Sequence, residues 1–202
     1  MIIDPKKQTY KENYKLIIGS ILPRPIAFVS TISREGIHNL APFSFFNGIA
    51  SNPPSLCFAP SRRSTDGSKK DTLVNIEQTC EFVVNIVTEV IVKQMNDTSE
   101  EHPPVISEFE EVCLTPIPSQ VVHAPRVKEC PINLECKLSQ IIEIGPSEPG
   151  GGFLVIGEII LFHVKDELLH EGCINIELLK QIGRLAGTEY TTLGKRFSLP
   201  RK

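Results

Sequence analysis

"INLECKLSQIIEIGPSEPGGGFLVIGEIILFHV", Ile132–Val164, decides the fold class. In its first half Ile132, Leu134, Cys136, Leu138 and Gln140 share one face, while Asn133, Glu135, Lys137 and Ser139 share the other. A period of two is the mark of a half-buried strand. "EPGGG" (148–152) then supplies turn residues, and a second long apolar run, "GGFLVIGEIILFHV" (151–164), comes next. Two such runs about a glycine-rich turn predict an antiparallel hairpin.

Comparable runs, rich in Val, Ile and Phe, recur upstream: "PIAFVSTI" (25–32), "NLAPFSFF" (39–46), "SLCFAP" (55–60) and "EFVVNIV" (81–87). Helical signals are fewer. "DTLVNIEQTC" (71–80) places Leu73, Ile76 and Cys80 on one face, with Asp71 or Thr72 as N-cap. "TEVIVKQMND" (88–97) can start at Thr88, and "NIELLKQIGRLAG" (175–187) predicts a third helix ending near Gly183. These helices interrupt the strands instead of alternating with them, which argues against a doubly wound parallel sheet. A closed antiparallel barrel with helices at its ends fits better. At 202 residues, one domain over 1–202 is expected.

Composition excludes several functions. A net charge of −3 leaves no basic footprint for nucleic acid. No window approaches the 18 apolar residues of a membrane span, and "MIIDPKKQTYKENYK" is too charged for a signal peptide. A cytoplasmic protein is expected. Of six cysteines, the closest pair, Cys130 and Cys136, has five residues between its members, outside zinc-site spacing. They read as buried small hydrophobes or ordinary thiols. The five histidines lack paired spacing, so no metal is expected.

Two stretches carry chemistry. In "HNLAPFSFFNGIASNPP" (38–54), an extended chain sends Leu40, Pro42, Ser44 and Phe46 to one side and Ala41, Phe43 and Phe45 to the other. Pro42 removes a ladder donor, which belongs on an edge or at a bulge. Backbone polar groups beside apolar rings suit a flat heteroaromatic ligand; the plainer alternative is an edge strand running into a proline-ended loop. "SRRSTDGSKKDTLVNI" (61–76) sets Arg62, Arg63, Lys69 and Lys70 before a helix N-terminus. Cations, free N–H groups and the helix dipole make an anion site, most often for phosphate; the alternative is a solvated basic loop. Asp71 opposes a phosphate unless it caps the helix or pairs with a cation.

"RPIAFVST" (24–31), "NLAPFSFFNGIASNPP" (39–54), "KDTLVNI" (70–76), "EFVVNI" (81–86) and "GRLAGTEY" (183–190), in that order, resemble the flavin reductase-like, FMN-binding split-barrel family that includes flavoredoxins. The resemblance covers about residues 15–190. It implies a mainly β fold, a six-stranded antiparallel Greek-key split barrel with a few peripheral helices. It further implies a homodimer with FMN at or near the subunit interface. By the same resemblance Ala41, Pro42, Phe43 and Ser44 line the isoalloxazine and ribityl chain, and Thr31 faces the same site. The phosphate falls to Lys70, Asp71 and Thr72, with Arg62 as a further cation. Arg24 and Arg184 lie in family motifs and reach towards the flavin pocket. The family's R-x-G-G pattern reads Arg184-Leu185-Ala186-Gly187 here, with one added methyl.

The implied chemistry is hydride transfer from NADH or NADPH to the flavin N5, with the cofactor carrying the reaction and the protein orienting it. No catalytic side chain is required. His38 and His123 are the histidines to consider near a nicotinamide, though each reads more simply as a surface or capping residue. There is no G-x-G-x-x-G for a separate dinucleotide domain. Two alternatives stand beside this reading: a flavoredoxin-type electron carrier reduced by a redox protein partner, and a non-catalytic FMN-binding module or another enzyme on the same barrel.

Overall fold

The computed structural model describes residues 1–200. In chain order, the strands are β1 (Ala27–Ile32), β2 (His38–Phe43), β3 (Phe46–Ser51), β4 (Pro54–Phe58), β5 (Glu81–Ile86), the short β6 (Pro116–Ile117) and β7 (Arg126–Val127), then the long β8 (Ile132–Ile144) and β9 (Gly152–Val164). Two further ribbons close the chain: β10 (Leu169–His170) with β11 (Cys173–Ile174), and β12 (Ile182–Arg184) with β13 (Tyr190–Thr192). The helices are α1 (Tyr10–Ser20), α2 (Asp71–Thr79), α3 (Val92–Asp97), α4 (Glu108–Glu111) and α5 (Ile176–Leu179).

Seven strands form one antiparallel sheet in the order β2-β1-β5-β8-β9-β4-β3. β2 and β3 stand at opposite edges, yet only Ser44 and Phe45 join them. A flat sheet of that order would be roughly 29 Å wide at the usual strand spacing. Two linking residues reach only about 10 Å. The sheet must therefore roll up until the end of β2 lies beside the start of β3. There the β3–β4 ladder continues one pair beyond Phe46 and Phe58, with the Ala59 N–H donating to the Phe45 carbonyl at 2.8 Å. This is the expected antiparallel barrel with peripheral helices, with seven strands where six were expected. The extra strand is β3. Its residues from Asn47 to Ser51 are exposed, so it carries no apolar run to announce it.

The barrel is filled by alternate residues of each strand, among them Val29, Phe43, Phe58, Phe82, Val84 and Val155. Phe43, Phe58 and Phe82 form a chain of rings with centroids 5.1 and 5.5 Å apart. Gly157 faces this chain: a Cβ there would lie 2.4 Å from the Phe82 ring. A second cluster (Phe28, Leu40, Ile91, Met95 and Phe109) packs α3 and α4 on the outer face of β1 and β2.

Strand β8 departs from the predicted half-buried pattern in two ways. Its first five residues are buried on both faces. Asn133 donates to Asn85 Oδ1 at 2.8 Å, and Glu135 accepts N–H groups from Gln120, Val121 and Val122. The chain between α4 and β8 covers the outer face and gives these polar groups partners. Further along, the register shifts between Leu138 and Gln140. Such a bulge reverses the facing of the residues beyond it. Ile141, not Gln140, packs on the core.

Helix α1 was not expected, although Thr9 and Glu12 form a complete capping box at its start. α2 forms where predicted, but its N-cap is Lys70 instead of Asp71 or Thr72, and Cys80 ends it in the left-handed region. The 88–97 segment holds a 3₁₀ turn, Glu89–Ile91, before α3. The third predicted helix stops after four residues at Lys180, also left-handed, and the chain re-enters a strand at Ile182. Among the described residues no helix is long and apolar enough to cross a membrane.

Candidate functional site

As a sheet edge, β2 pairs only with β1 and leaves one side open. The Leu40 N–H points off that edge and donates to a Glu108 carboxylate oxygen at 2.9 Å. In an antiparallel strand every second residue directs its backbone groups the same way, so Pro42 faces outward too and has no N–H to give. This edge offers carbonyls at Leu40 and Pro42 more than donors.

Pro42 divides a groove. On one side is a small hollow of about 50 Å³ lined by Ala41, Pro42, Arg63, Lys70, Asp71, Thr72 and the chain from Thr98 to His102. On the other, about 150 Å³ lies among Tyr14, Pro42, Ser44, Asn96, Ser99, Arg184 and Tyr190. A third, wider hollow of about 470 Å³ shares Lys70, Arg63 and Glu101 with the first and Tyr14 with the second, and adds Tyr10, Phe45 and Arg62. The groove therefore runs from the start of α2, past the β2 edge, to the C-terminal ribbon.

The α2 end is built for an anion. Lys70 is the N-cap and supplies no side-chain cap, so the first N–H groups of the helix, those of Asp71 and Thr72, have no partner within it. Arg63 binds Asp71 at 2.7 Å and Glu101 at 3.4 Å. Asp71 is thus neutralised by a cation, the condition under which it does not repel a phosphate. Among the described residues Lys70 has no carboxylate within ion-pair distance. Burial pushes its ammonium below the usual lysine range; Glu101 pulls it back up, Arg63 pushes it down, and Asp71 pulls up. An under-hydrated, unpaired cation is a poor resting state and a good anion receptor.

The predicted residues divide into two groups. Ala41, Pro42, Lys70, Asp71 and Thr72 meet around one hollow, and Ser44 and Arg184 meet around the next. Arg184 lies over the Tyr190 ring at 4.4 Å and donates to the Gly187 carbonyl at 2.6 Å. Arg62 lines the wide hollow, where it lies over Phe153 at 4.7 Å and pairs with Glu143. Its Nε is buried without a partner.

Two predicted residues, Thr31 and Phe43, sit behind the groove, while Arg24 lines an adjoining hollow of about 430 Å³ with Ser44 and Phe45. Thr31 is fully buried, its hydroxyl accepting from Asn75 Nδ2 at 3.0 Å and donating to Asn39 Oδ1 at 3.3 Å. Phe43 points into the barrel. Arg24 is 4 % exposed and donates to the carbonyls of Ile18, Ile21 and Leu185 at 2.7, 2.9 and 2.8 Å, with Ser44 Oγ at 3.4 Å. It clips α1 to the C-terminal ribbon. His38 packs edge-on to Phe109 at 6.0 Å, and His123 is an exposed partner of Glu81 at 2.8 Å; neither lines the groove.

The groove also gathers residues not singled out from the sequence: Tyr14 from α1, Ser99 and Glu101 from the chain after α3, and Tyr190 from β13. The Thr9–Glu12 capping box was the available signal for Tyr14, since it starts the helix that carries this ring. Among the described residues no group of three His, Cys, Asp or Glu side chains could hold a metal ion.

Fold and groove together define a split-barrel protein with an open edge beside a cationic helix start. The sequence profile of the flavin reductase like domain matches residues 18–182, and the chain belongs to that family, a flavin-binding redox family. Among solved structures, nitrilotriacetate monooxygenase component B from Bacillus cereus is similar at 44% identity and TM-score 0.94, over 98% of each chain. The 2-nitrobenzoate 2-nitroreductase NbaA of Pseudomonas fluorescens is 35% identical, with TM-score 0.88 over 100% of this chain and 96% of that one. Flavoredoxin of Desulfovibrio vulgaris (Miyazaki F) is 25% identical, with TM-score 0.74 over 89% and 91%.

Proposed function

We propose that the groove along β2 holds FMN and that the protein is an NAD(P)H-dependent flavin reductase. The observation that carries this reading is Lys70: a partly buried ammonium without an ion-pair partner among the described residues, beside the open N–H groups of α2. Lys70, with the Asp71 and Thr72 amides, would hold the phosphate, and Arg63 keeps the Asp71 charge from opposing it. The edge carbonyls at Leu40 and Pro42 would accept from a ring N–H, and Tyr14, Arg184 and Tyr190 would flank the ring end. A bound flavin supplies hydride acceptance from a nicotinamide; the chain's own groups orient, neutralise and exclude water. No side chain in the groove has to move a proton for that transfer.

A homodimer fits the exposed surface. Leu16, Ile17, Ile21 and Leu22 on and just after α1 are 42–57% exposed, and Ile49 on the open strand β3 is 50% exposed. An apolar, unpaired edge of this kind needs a cover.

The likeness to a flavoredoxin supports a second reading, an electron carrier reduced by a protein partner. Anaerobic titration of the FMN-loaded protein with NADH and then NADPH separates the two. Bleaching of the flavin absorbance by either nucleotide is the expected result. Flavin that stays oxidised with both, but is reduced by an iron–sulfur protein, assigns the carrier role.

A further inference from the structure

The hollow at the start of α2 carries more acid than a phosphate site should. Its lining includes Asp71, Glu100, Glu101 and Glu108 against Arg63 and Lys70. Two of these carboxylates are committed elsewhere. Glu108 is buried and accepts from the Asn39 amide and the Leu40 N–H, at 2.9–3.0 Å. Asp71 is fixed on α2 and held by Arg63.

Glu101 is different. It sits on irregular chain between α3 and α4, its side chain is 39% exposed, and its hold on Arg63 is the longer of the two at 3.4 Å. It also lines the wide hollow together with Arg62, Arg63 and Lys70. Its carboxylate therefore occupies the field of the cations that would receive a ligand anion, on a segment without ladder or helix bonds to restrain it.

We propose that Glu101 is the built-in counter-anion of this site: it holds Arg63 and faces Lys70 when no ligand is present, and it must give way to a phosphate. The inference rests on the reading of Lys70 as the phosphate receptor. Displacement spends part of the phosphate's attraction on replacing an existing charge, while a neutral flavin meets no such competition. Glu101 thus lowers the preference for phosphorylated over unphosphorylated flavin and favours exchange over permanent retention. Asp71 stays neutralised after the exchange, because Arg63 contacts it through a different guanidinium nitrogen.

Calorimetric binding of FMN and of riboflavin to the full-length protein and to E101Q, E100Q and K70A tests this. An exposed charge at ion-pair distance corresponds to an expected tightening of about three- to tenfold for FMN in E101Q. Riboflavin affinity stays the same, and E100Q changes little, since among the described residues Glu100 makes no ion pair. FMN binding that is unchanged or weaker in E101Q overturns the proposal. So does an equal gain in E100Q, which would reveal only a diffuse field. K70A reports separately on the underlying reading: selective loss of FMN keeps the phosphate site even if Glu101 proves idle, and no selective loss removes both.

Discussion

Asn39 on β2 accepts the Thr72 hydroxyl at 2.9 Å, so the open sheet edge and the first turn of α2 are tied by one buried amide. The other end of that amide donates to both oxygens of Glu108 at 3.0 Å. Thr31 and Asn75 complete the network. The wall of the groove and its anion-binding end are thereby held in one register.

Asn39→Leu should cost about 2–4 kcal/mol, because it leaves the Glu108 carboxylate buried with fewer donors. Urea unfolding measures this. Weaker FMN binding should accompany it even though the Asn39 side chain is taken up within the network.

Glu135 should govern acid stability. Burial alone would raise its carboxyl, yet the N–H of Gln120, the His163 ring and the N–H groups of Val121 and Val122 together hold it below the usual 4.5. A folded value below the unfolded one means stabilisation that is complete above about pH 4.5 and lost as pH falls through the folded value. Glu135→Gln should unfold more easily at pH 7, by about 2–3 kcal/mol. It should also show a shallower loss of stability between about pH 5 and 3. Thermal melts across pH read both effects.

Arg24 should be structural rather than flavin-binding. Its replacement by Lys keeps the charge but loses the planar fork that serves three carbonyls at once. Arg24→Lys should lower stability by about 2 kcal/mol, while flavin affinity measured well below the melting temperature changes less than it does in Lys70→Ala.

Gly157→Ala should overpack the barrel. The added methyl would meet the Phe82 ring at 2.4 Å, inside any real contact distance. A loss of about 1–3 kcal/mol is expected, recovered in part by Phe82→Leu in the same chain.

Much of this fold is legible in the amino-acid order, and the exceptions have physical causes. Strands with an apolar face announce themselves, as β8 and β9 do; β3 does not, because its residues from Asn47 to Ser51 are exposed. Gln140 is misplaced by simple alternation since a bulge, invisible in the pattern, reverses the strand's facing. Lys180 ends α5 early by adopting the left-handed conformation, which glycine would have signalled and lysine does not. For the site, the basic run before α2 was readable from local chemistry. That Thr31 and Phe43 lie behind the groove and Arg24 in an adjoining hollow was not: these placements come from the rolling of the sheet and the docking of α1. Tyr14, Glu101 and Tyr190 reach the groove from segments remote in sequence, and only tertiary packing brings them together.

Lys70 and the start of α2 form the proposed phosphate receptor. Lys70→Ala removes the ammonium without touching the β2 edge, so its affinities for FMN and for riboflavin, measured side by side, are the decisive comparison. A charge-assisted contact of about 1.5–3 kcal/mol predicts that FMN binding weakens roughly 10- to 100-fold, with riboflavin binding unaltered. Equal weakening of the two flavins, or none of either, would contradict it.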